Sequence, residues 1–174
     1  MKTVIKVLVK DAVCTPTILD NGEWIDLKAA EDVVLEAPQA GVQYQKNNNK
    51  YRDVDFKREM VSLGVAIKLP AGYEAIVIPR SGTFKKYGVI QSNSVGLIDN
   101  SYCGNDDVWK FPILMTEEGK INKGDRICQF RIQLSQKATV WQKIKWLFSS
   151  GIKIEYVDSL SDNNRGGFGS TGYK

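Results

Sequence analysis

An all-β domain, a barrel or a jelly roll, is the architecture this sequence predicts. Three observations carry the expectation. Short runs rich in β-branched and aromatic residues recur along the chain, glycine- and asparagine-bearing turn signals fall between them, and only one stretch has helical periodicity. Many short strands at such spacing pack as a sandwich or close on themselves.

In order, residues 5–9 alternate well enough for a strand. Runs at 23–29, 33–37, 60–69, 74–79, 88–93, 108–115 and 127–134 read as further strands. Residues 152–157 close the series, with Ile152, Ile154 and Tyr156 alternating against Lys153 and Glu155. Turn markers separate them: Asn21-Gly22, Pro70-Ala71-Gly72, Ser81-Gly82, Glu118-Gly119 and Lys123-Gly124. Residues 43–58 are polar around an asparagine triplet and read as an extended hairpin or a surface loop. Residues 139–149 are the helix candidate, with Val140, Ile144 and Leu147 on one face and Trp141 and Phe148 beside it. That helix either packs on the barrel or presents a surface to a partner or a membrane. No internal repeat or domain boundary is visible.

Composition removes several chemistries. The 174 residues suit one domain with a core large enough to need no disulfide or metal staple. There is no histidine, which excludes Ser-His-Asp and Cys-His nucleophilic schemes and every histidine-ligated metal site. Cys14, Cys103 and Cys128 are odd in number and widely spaced, which argues against a zinc site and for a reducing compartment, the cytoplasm. The net charge of +4 is spread along the chain; it allows an anionic ligand without demanding nucleic acid. Lysines break every apolar run near residue 1, so no signal peptide is expected there, and no run approaches a membrane span.

The residues that can carry chemistry lie in separate segments. Asp99 follows Leu97 and Ile98, precedes Tyr102, and is bracketed by Gly96 and Gly104. It reads either as a base beside a small pocket or as the cap of a turn. Arg80, Ser81 and Gly82 end an apolar strand, where they form either an anion-binding corner or a plain turn. Gln129 sits among apolar residues and needs a hydrogen-bond partner, and Asp26 lies between Ile25 and Leu27, where a carboxylate needs a cation or donors. Near the other terminus, Arg165 precedes a Gly-Phe-Gly-Ser-Thr-Gly run. This run matches the dinucleotide-binding glycine pattern only formally, because no helix is expected after it. Its glycine N–H groups, Ser170 and Thr171 suit phosphate, and Phe168 suits a planar base, as a lid or else as a plain tail. Together these are the parts for a polyphosphate attached to a base. No P-loop is present, so Mg²⁺ would offset the remaining phosphate charge.

Read in order, segments 24–32, 79–82, 93–104, 124–130 and 165–172 resemble the five motifs of the trimeric dUTP pyrophosphatase (dUTPase) family, most closely its Gram-positive bacterial and phage members. The resemblance implies a β jelly roll with one short helix, assembled as a homotrimer whose active sites draw on several subunits. It implies Mg²⁺-dependent hydrolysis of dUTP to dUMP and pyrophosphate. Asp99 matches the catalytic base that activates water against the α-phosphorus. Asn93, Gly96, Leu97 and Ile98 match the hairpin that reads uracil, and Tyr102 matches the ring packed under deoxyribose. Arg80, Ser81, Gly82, Gln129, Ser170 and Thr171 match phosphate contacts, as does Arg165 in a fifth motif shortened by two residues. Asp26 matches an aspartate near the metal, acting through water, and Phe168 matches the lid aromatic. On this resemblance residues 1–164 form the domain, with insertions near 43–58 and 141–151, and 165–174 form a flexible glycine-rich lid. A protein-binding or regulatory role, with the insertions gripping a partner, is the alternative. A dCTP deaminase relative would need a glutamate where this chain has Asp99. Neither DNA nor a membrane is an expected partner.

Overall fold

The computed structural model describes residues 2–20, 22–46 and 49–167. Its first strands are β1 (Thr3–Val9), β2 (Thr17–Ile18), β3 (Ile25–Lys28), β4 (Val33–Leu35), β5 (Gln39–Lys46), β6 (Asn49–Asp55), β7 (Arg58–Ser62) and β8 (Val65–Lys68). Then come β9 (Tyr73–Pro79), α1 (Thr83–Tyr87), β10 (Val89–Gln91), β11 (Gly96–Asp99), β12 (Lys110–Met115), β13 (Gly119–Ile121), β14 (Arg126–Leu134), α2 (Val140–Leu147) and β15 (Ile152–Tyr156). The fold is a β jelly roll. The central sheet has the order β11-β9-β14-β3-β2, flanked by β10-β12-β7 and β15-β1-β8. All pairings are antiparallel except β1 with β15.

Alternation explains the layers. In β9, Tyr73, Ala75 and Val77 are buried while the residues between them are only half covered. The inward faces meet in one core in which Trp109, Phe111, Phe130, Leu27, Ile113 and Ile127 are fully buried, and Trp109 meets Phe130 edge-on at 5.1 Å. Trp109 is the floor beneath the candidate site, so the site rests on packed core.

The structure corrects several sequence expectations. The run at 60–69 is not one strand: Gly64 takes φ +62°, ends β7 and redirects the chain into β8. A Cβ there would lie 2.6 Å from the Cys14 Sγ, so glycine answers both the backbone and the packing. The run at 33–37 is a strand only to Leu35, and that at 88–93 only to Gln91. Within 43–58, residues 43–46 and 49–55 belong to a hairpin of β5 with β6, a two-stranded sheet among the described residues, and Arg58 begins β7. There are two α-helices among the described residues rather than one. α1 is too short to show a period, and its readable signal was Gly88, which ends it at φ +58° with its N–H donated to the Phe84 carbonyl. α2 begins at a Thr139 capping box. Of the two readings offered for this helix, its apolar stripe fits the open surface: Val140 and Leu147 are 70% and 77% exposed, while Trp146 turns inward onto Tyr73 at 5.4 Å.

Candidate active site

β10 and β11 are joined by a tight turn in which Ser94 adopts φ +60°, a conformation costly for a non-glycine residue. The Val95 N–H donates to the Asn93 carbonyl at 2.6 Å, and the Ser94 N–H to that of Gln91 at 3.3 Å. β11 then pairs with β9 in the register Gly96–Val77 to Asp99–Glu74, which brings Asn93, Gly96, Leu97, Ile98, Asp99 and Tyr102 around one cavity of about 320 Å³. That is ample for a pyrimidine ring and a sugar. Gly96 packs closely: a Cβ would lie 3.2 Å from the Val77 Cβ, a tight contact, and 3.4 Å from the Gln91 Nε2.

Asp99 sits at the mouth. Its Oδ1 accepts the Ser101 N–H at 2.8 Å and also the Ser101 hydroxyl, and its Oδ2 accepts from an Arg165 guanidinium nitrogen at 2.6 Å. Partial burial pushes the carboxyl up, but the Ser101 donors and Arg165 outweigh it, and the group stays below its ordinary value. It is therefore a carboxylate at neutral pH, with both oxygens oriented. The ion pair itself contributes on the order of 1 kcal/mol or less, because its side chains are 39% and 47% exposed. Tyr102 donates its hydroxyl to the Val108 carbonyl at 3.0 Å and lies against Gly167, where a Cβ would come within 3.1 Å of the ring.

Residues that the sequence reading missed hold the arm 161–167 in place. Asp107 is 1% exposed. Its Oδ2 accepts the N–H groups of Gly104 and Arg165 at 2.8 and 2.9 Å, and its Oδ1 that of Gly166 at 2.9 Å. Burial raises its carboxyl, and these backbone donors more than reverse the effect. Asp106 and Asn164 exchange two hydrogen bonds of 2.8 and 2.9 Å, and the Asn105 Oδ1 accepts the Leu160 N–H at 2.7 Å. The run Asn105-Asp106-Asp107 is therefore a backbone-binding loop; its sequence signal was three consecutive residues able to accept main-chain N–H groups.

The remaining predicted residues lie elsewhere. Asp26, 2% exposed in β3, accepts from Arg80 Nε at 3.0 Å and from an Arg126 guanidinium nitrogen at 3.1 Å. Thr83 fixes the corner: its hydroxyl accepts the Arg80 N–H at 3.1 Å and donates to the Ile127 carbonyl at 2.7 Å. Arg80, Gly82 and Arg126, with Lys28, Lys86 and Asp125, line a second depression of about 550 Å³. Four cations face one carboxylate there, which suits a polyanion. Ser81 and Gln129 do not line it, though Gln129 is the direct cross-strand neighbour of Asp26. Arg165 lies in the first cavity, on Asp99. Phe168, Ser170 and Thr171 lie outside the described residues. The two depressions share no lining residue.

Among the described residues no group of three or more Cys, Asp or Glu side chains could hold a metal ion. Both Asp26 oxygens are engaged by arginines. No helix among them is long and apolar enough to cross a membrane.

Known proteins match this arrangement. The dUTPase family model matches residues 51–172. The SPbeta prophage-derived deoxyuridine 5'-triphosphate nucleotidohydrolase YosS of Bacillus subtilis (strain 168) is 44% identical over 156 residues, covering 90% of this chain and 88% of that one. The deoxyuridine 5'-triphosphate nucleotidohydrolase of Hydrogenobaculum sp. (strain Y04AAS1) is 35% identical over 178 residues, covering all of both chains. Among solved structures, the dUTPase of Streptococcus mutans superimposes with a TM-score of 0.58 at 20% identity, covering 75% of this chain and 93% of that one. A variant dUTPase from phage phi11 of S. aureus, described with a structural Mg(II) ion, gives 0.57 at 19% identity, covering 78% and 94%. At these identities the structures establish the fold. The family model and the two long sequence alignments establish more: this chain belongs to the dUTPase family, the deoxyuridine 5'-triphosphate nucleotidohydrolases.

Proposed function

We propose that the chain hydrolyses dUTP to dUMP and pyrophosphate with Asp99 as the base. The observation that carries this reading is an ionised, doubly oriented carboxylate at the mouth of a ring-sized cavity with Tyr102 in its wall. Asp99 accepts the proton of a water whose oxygen attacks the α-phosphorus. The bond to the bridging oxygen breaks, pyrophosphate leaves, and the proton passes to solvent. Tyr102 packs beside the sugar, and the turn at Asn93 with the edge of β11 reads the base. Phosphoryl substitution needs electrostatic clamping more than covalent help, which suits a site without histidine.

The clamp is the Arg80–Asp26–Arg126 cluster. The base cavity and this cationic depression are separate in one chain, and in our reading a nucleotide seated in one chain extends its phosphates to the depression of a neighbour. A homotrimer with shared sites completes that reading, with residues 165–174 acting as the lid. Magnesium bound to the triphosphate would supply neutralisation of phosphate charge beside Arg80 and Arg126. Asp26 would reach it only through water. We place this activity in the cytoplasm.

Pyrophosphate release from dUTP, UTP, dTTP and dCTP, side by side with and without Mg²⁺, tests the reading in wild type and Asp99→Asn. The expected outcome is selective, Mg²⁺-dependent release from dUTP that Asp99→Asn abolishes while nucleotide binding persists. Undiminished turnover by that variant would sink the mechanism.

A partner-binding role is compatible with catalysis and has its own observation. Trp141, Leu147 and Phe148 are 74%, 77% and 73% exposed on α2, among Lys137, Lys143 and Lys145. Deleting 141–150 should spare turnover and abolish capture of a cellular protein; collapse of the assembly instead would make the segment structural.

A further inference from the structure

Gln91 ends β10 in the wall of the base cavity and is 5% exposed. Its Nε2 lies 3.2 Å from the Val77 carbonyl oxygen and 2.9 Å from the Asn93 Oδ1. These two contacts fix more than position. A backbone carbonyl can only accept, so the end of Gln91 that faces Val77 has to be the NH₂. The second N–H of that group then meets Asn93, and the Asn93 atom that faces it has to be the acceptor, Oδ1. Polarity therefore passes from the main chain through two side-chain amides without any free choice of orientation.

Three features hold the arrangement. The turn at Ser94 keeps Asn93 beside Gln91. Gly96 brings bare backbone against the Gln91 amide, where a Cβ would lie 3.4 Å from Nε2. The Gln91 Oε1 is buried with no hydrogen-bond partner. Flipping the amide would set that oxygen against the Val77 oxygen, so an unpaired acceptor is the smaller loss. The Trp109 Nε1, a donor, is likewise buried and unpartnered, and Trp109 lines the same cavity. Orphaned polar atoms in a cavity wall are where a bound water or a ligand supplies the missing partner.

We propose that Gln91 is a specificity-determining positioning residue: it locks the Asn93 amide with its donor end to the cavity, so that the site accepts a 4-oxo pyrimidine and rejects a 4-amino one. The inference rests on the dUTP reading above and deepens it. With Oδ1 taken by Gln91, the Asn93 Nδ2 has no hydrogen bond to the described residues and is the atom left for the base. It can donate to the C4 carbonyl of uracil. Against cytosine two donors meet, and the desolvated N–H groups stay unpaired.

The test compares kcat/KM for dUTP and dCTP in wild type, Gln91→Met and Gln91→Glu. Methionine keeps the length of the side chain and removes both donors, which frees the Asn93 amide to rotate. Glutamate turns an acceptor toward Asn93 and reverses the polarity. The dUTP/dCTP ratio should fall about tenfold or more in Gln91→Met and further in Gln91→Glu, with the dUTP loss in KM rather than kcat. A ratio that does not move, or equal losses on both nucleotides, overturns the assignment. Should the variants fail to fold, ¹⁵N-edited NMR of the wild-type protein decides: dUMP should shift the Asn93 side-chain NH₂ resonances and dCMP should not, and equal shifts overturn the proposal. A wild type inert toward dUTP would remove the dUTP reading and this inference together; an active wild type whose variants keep its selectivity removes only the role of Gln91.

Discussion

Asp107→Asn changes one atom of a buried side chain and bears directly on how the arm docks. The carboxylate serves three main-chain donors, Gly104 and Arg165 on one oxygen and Gly166 on the other. An amide keeps one oxygen. Oriented to retain the Gly104 and Arg165 bonds, it turns an NH₂ against the Gly166 N–H. One charge-assisted bond of about 1.5–3 kcal/mol is lost, before counting the weakening of the other two. At 1.36 kcal/mol per factor of ten, that lowers the docking equilibrium constant by about 10- to 150-fold, and this is the largest fall the docked population can show. The arm brings Arg165 onto Asp99, so kcat/KM for dUTP should fall by up to that factor. Pyrophosphate release measures it, and a cycle with a chain truncated after Asn164 isolates the cause. In the truncated background Asp107→Asn should cost almost nothing more. An equal cost in both backgrounds would refute the docking argument and assign Asp107 to its own loop.

Tyr102→Ala should lower the dUTP/UTP ratio of kcat/KM by about tenfold or more, since the ring that crowds a 2′-hydroxyl is gone; unchanged selectivity would remove Tyr102 from the sugar site. Deleting 167–174 should cripple turnover and leave the melting temperature near wild type, because the hydrogen bonds that Asp107 makes to Arg165 and Gly166 are retained; near-normal activity would contradict the lid assignment. For pH, Asp99 and Asp107 are both held below the ordinary carboxylate value of 3.8. A lowered folded value means their stabilisation is complete above the unfolded value and is lost as pH falls through the folded one. Turnover and arm docking should thus be insensitive to pH through the neutral range, with the acid loss below pH 3.8. An acid limb with its midpoint near neutrality would assign the essential proton to another group.

The sequence showed the longer strands, such as β9, where alternation survives, but not the short β2, β11 and β13, which hold too few residues to show it; it showed Asp99 and Tyr102 because glycines flank an apolar run that ends in a carboxylate. It showed Asp26 as a buried charge in need of cations, but not which cations: Arg126 lies 100 residues away and meets it only through the pairing of β14 with β3. α1 escaped because five residues hold no period. The orientation of α2 stayed open because periodicity gives an apolar stripe without saying which side finds a neighbour; in the fold Trp146 packs on Tyr73. Asp107 and Gln91 were harder to assign because each bonds main-chain atoms, Gly104, Arg165 and Gly166 for Asp107 and Val77 for Gln91, and main-chain atoms leave no letter in a sequence.

Gly104 has a consequence beyond its own loop. A side chain there would strike the Asn164 Oδ1 at 2.2 Å and its Cα at 2.7 Å, so the carboxy-terminal strap runs across that glycine's bare face. The strap is consequently not a portable cassette. Grafting it from a relative, or grafting it onto one, requires exchanging residues 103–107 along with 161–166, and a chimera built at the obvious glycine-rich boundary would inherit a cover without its seat.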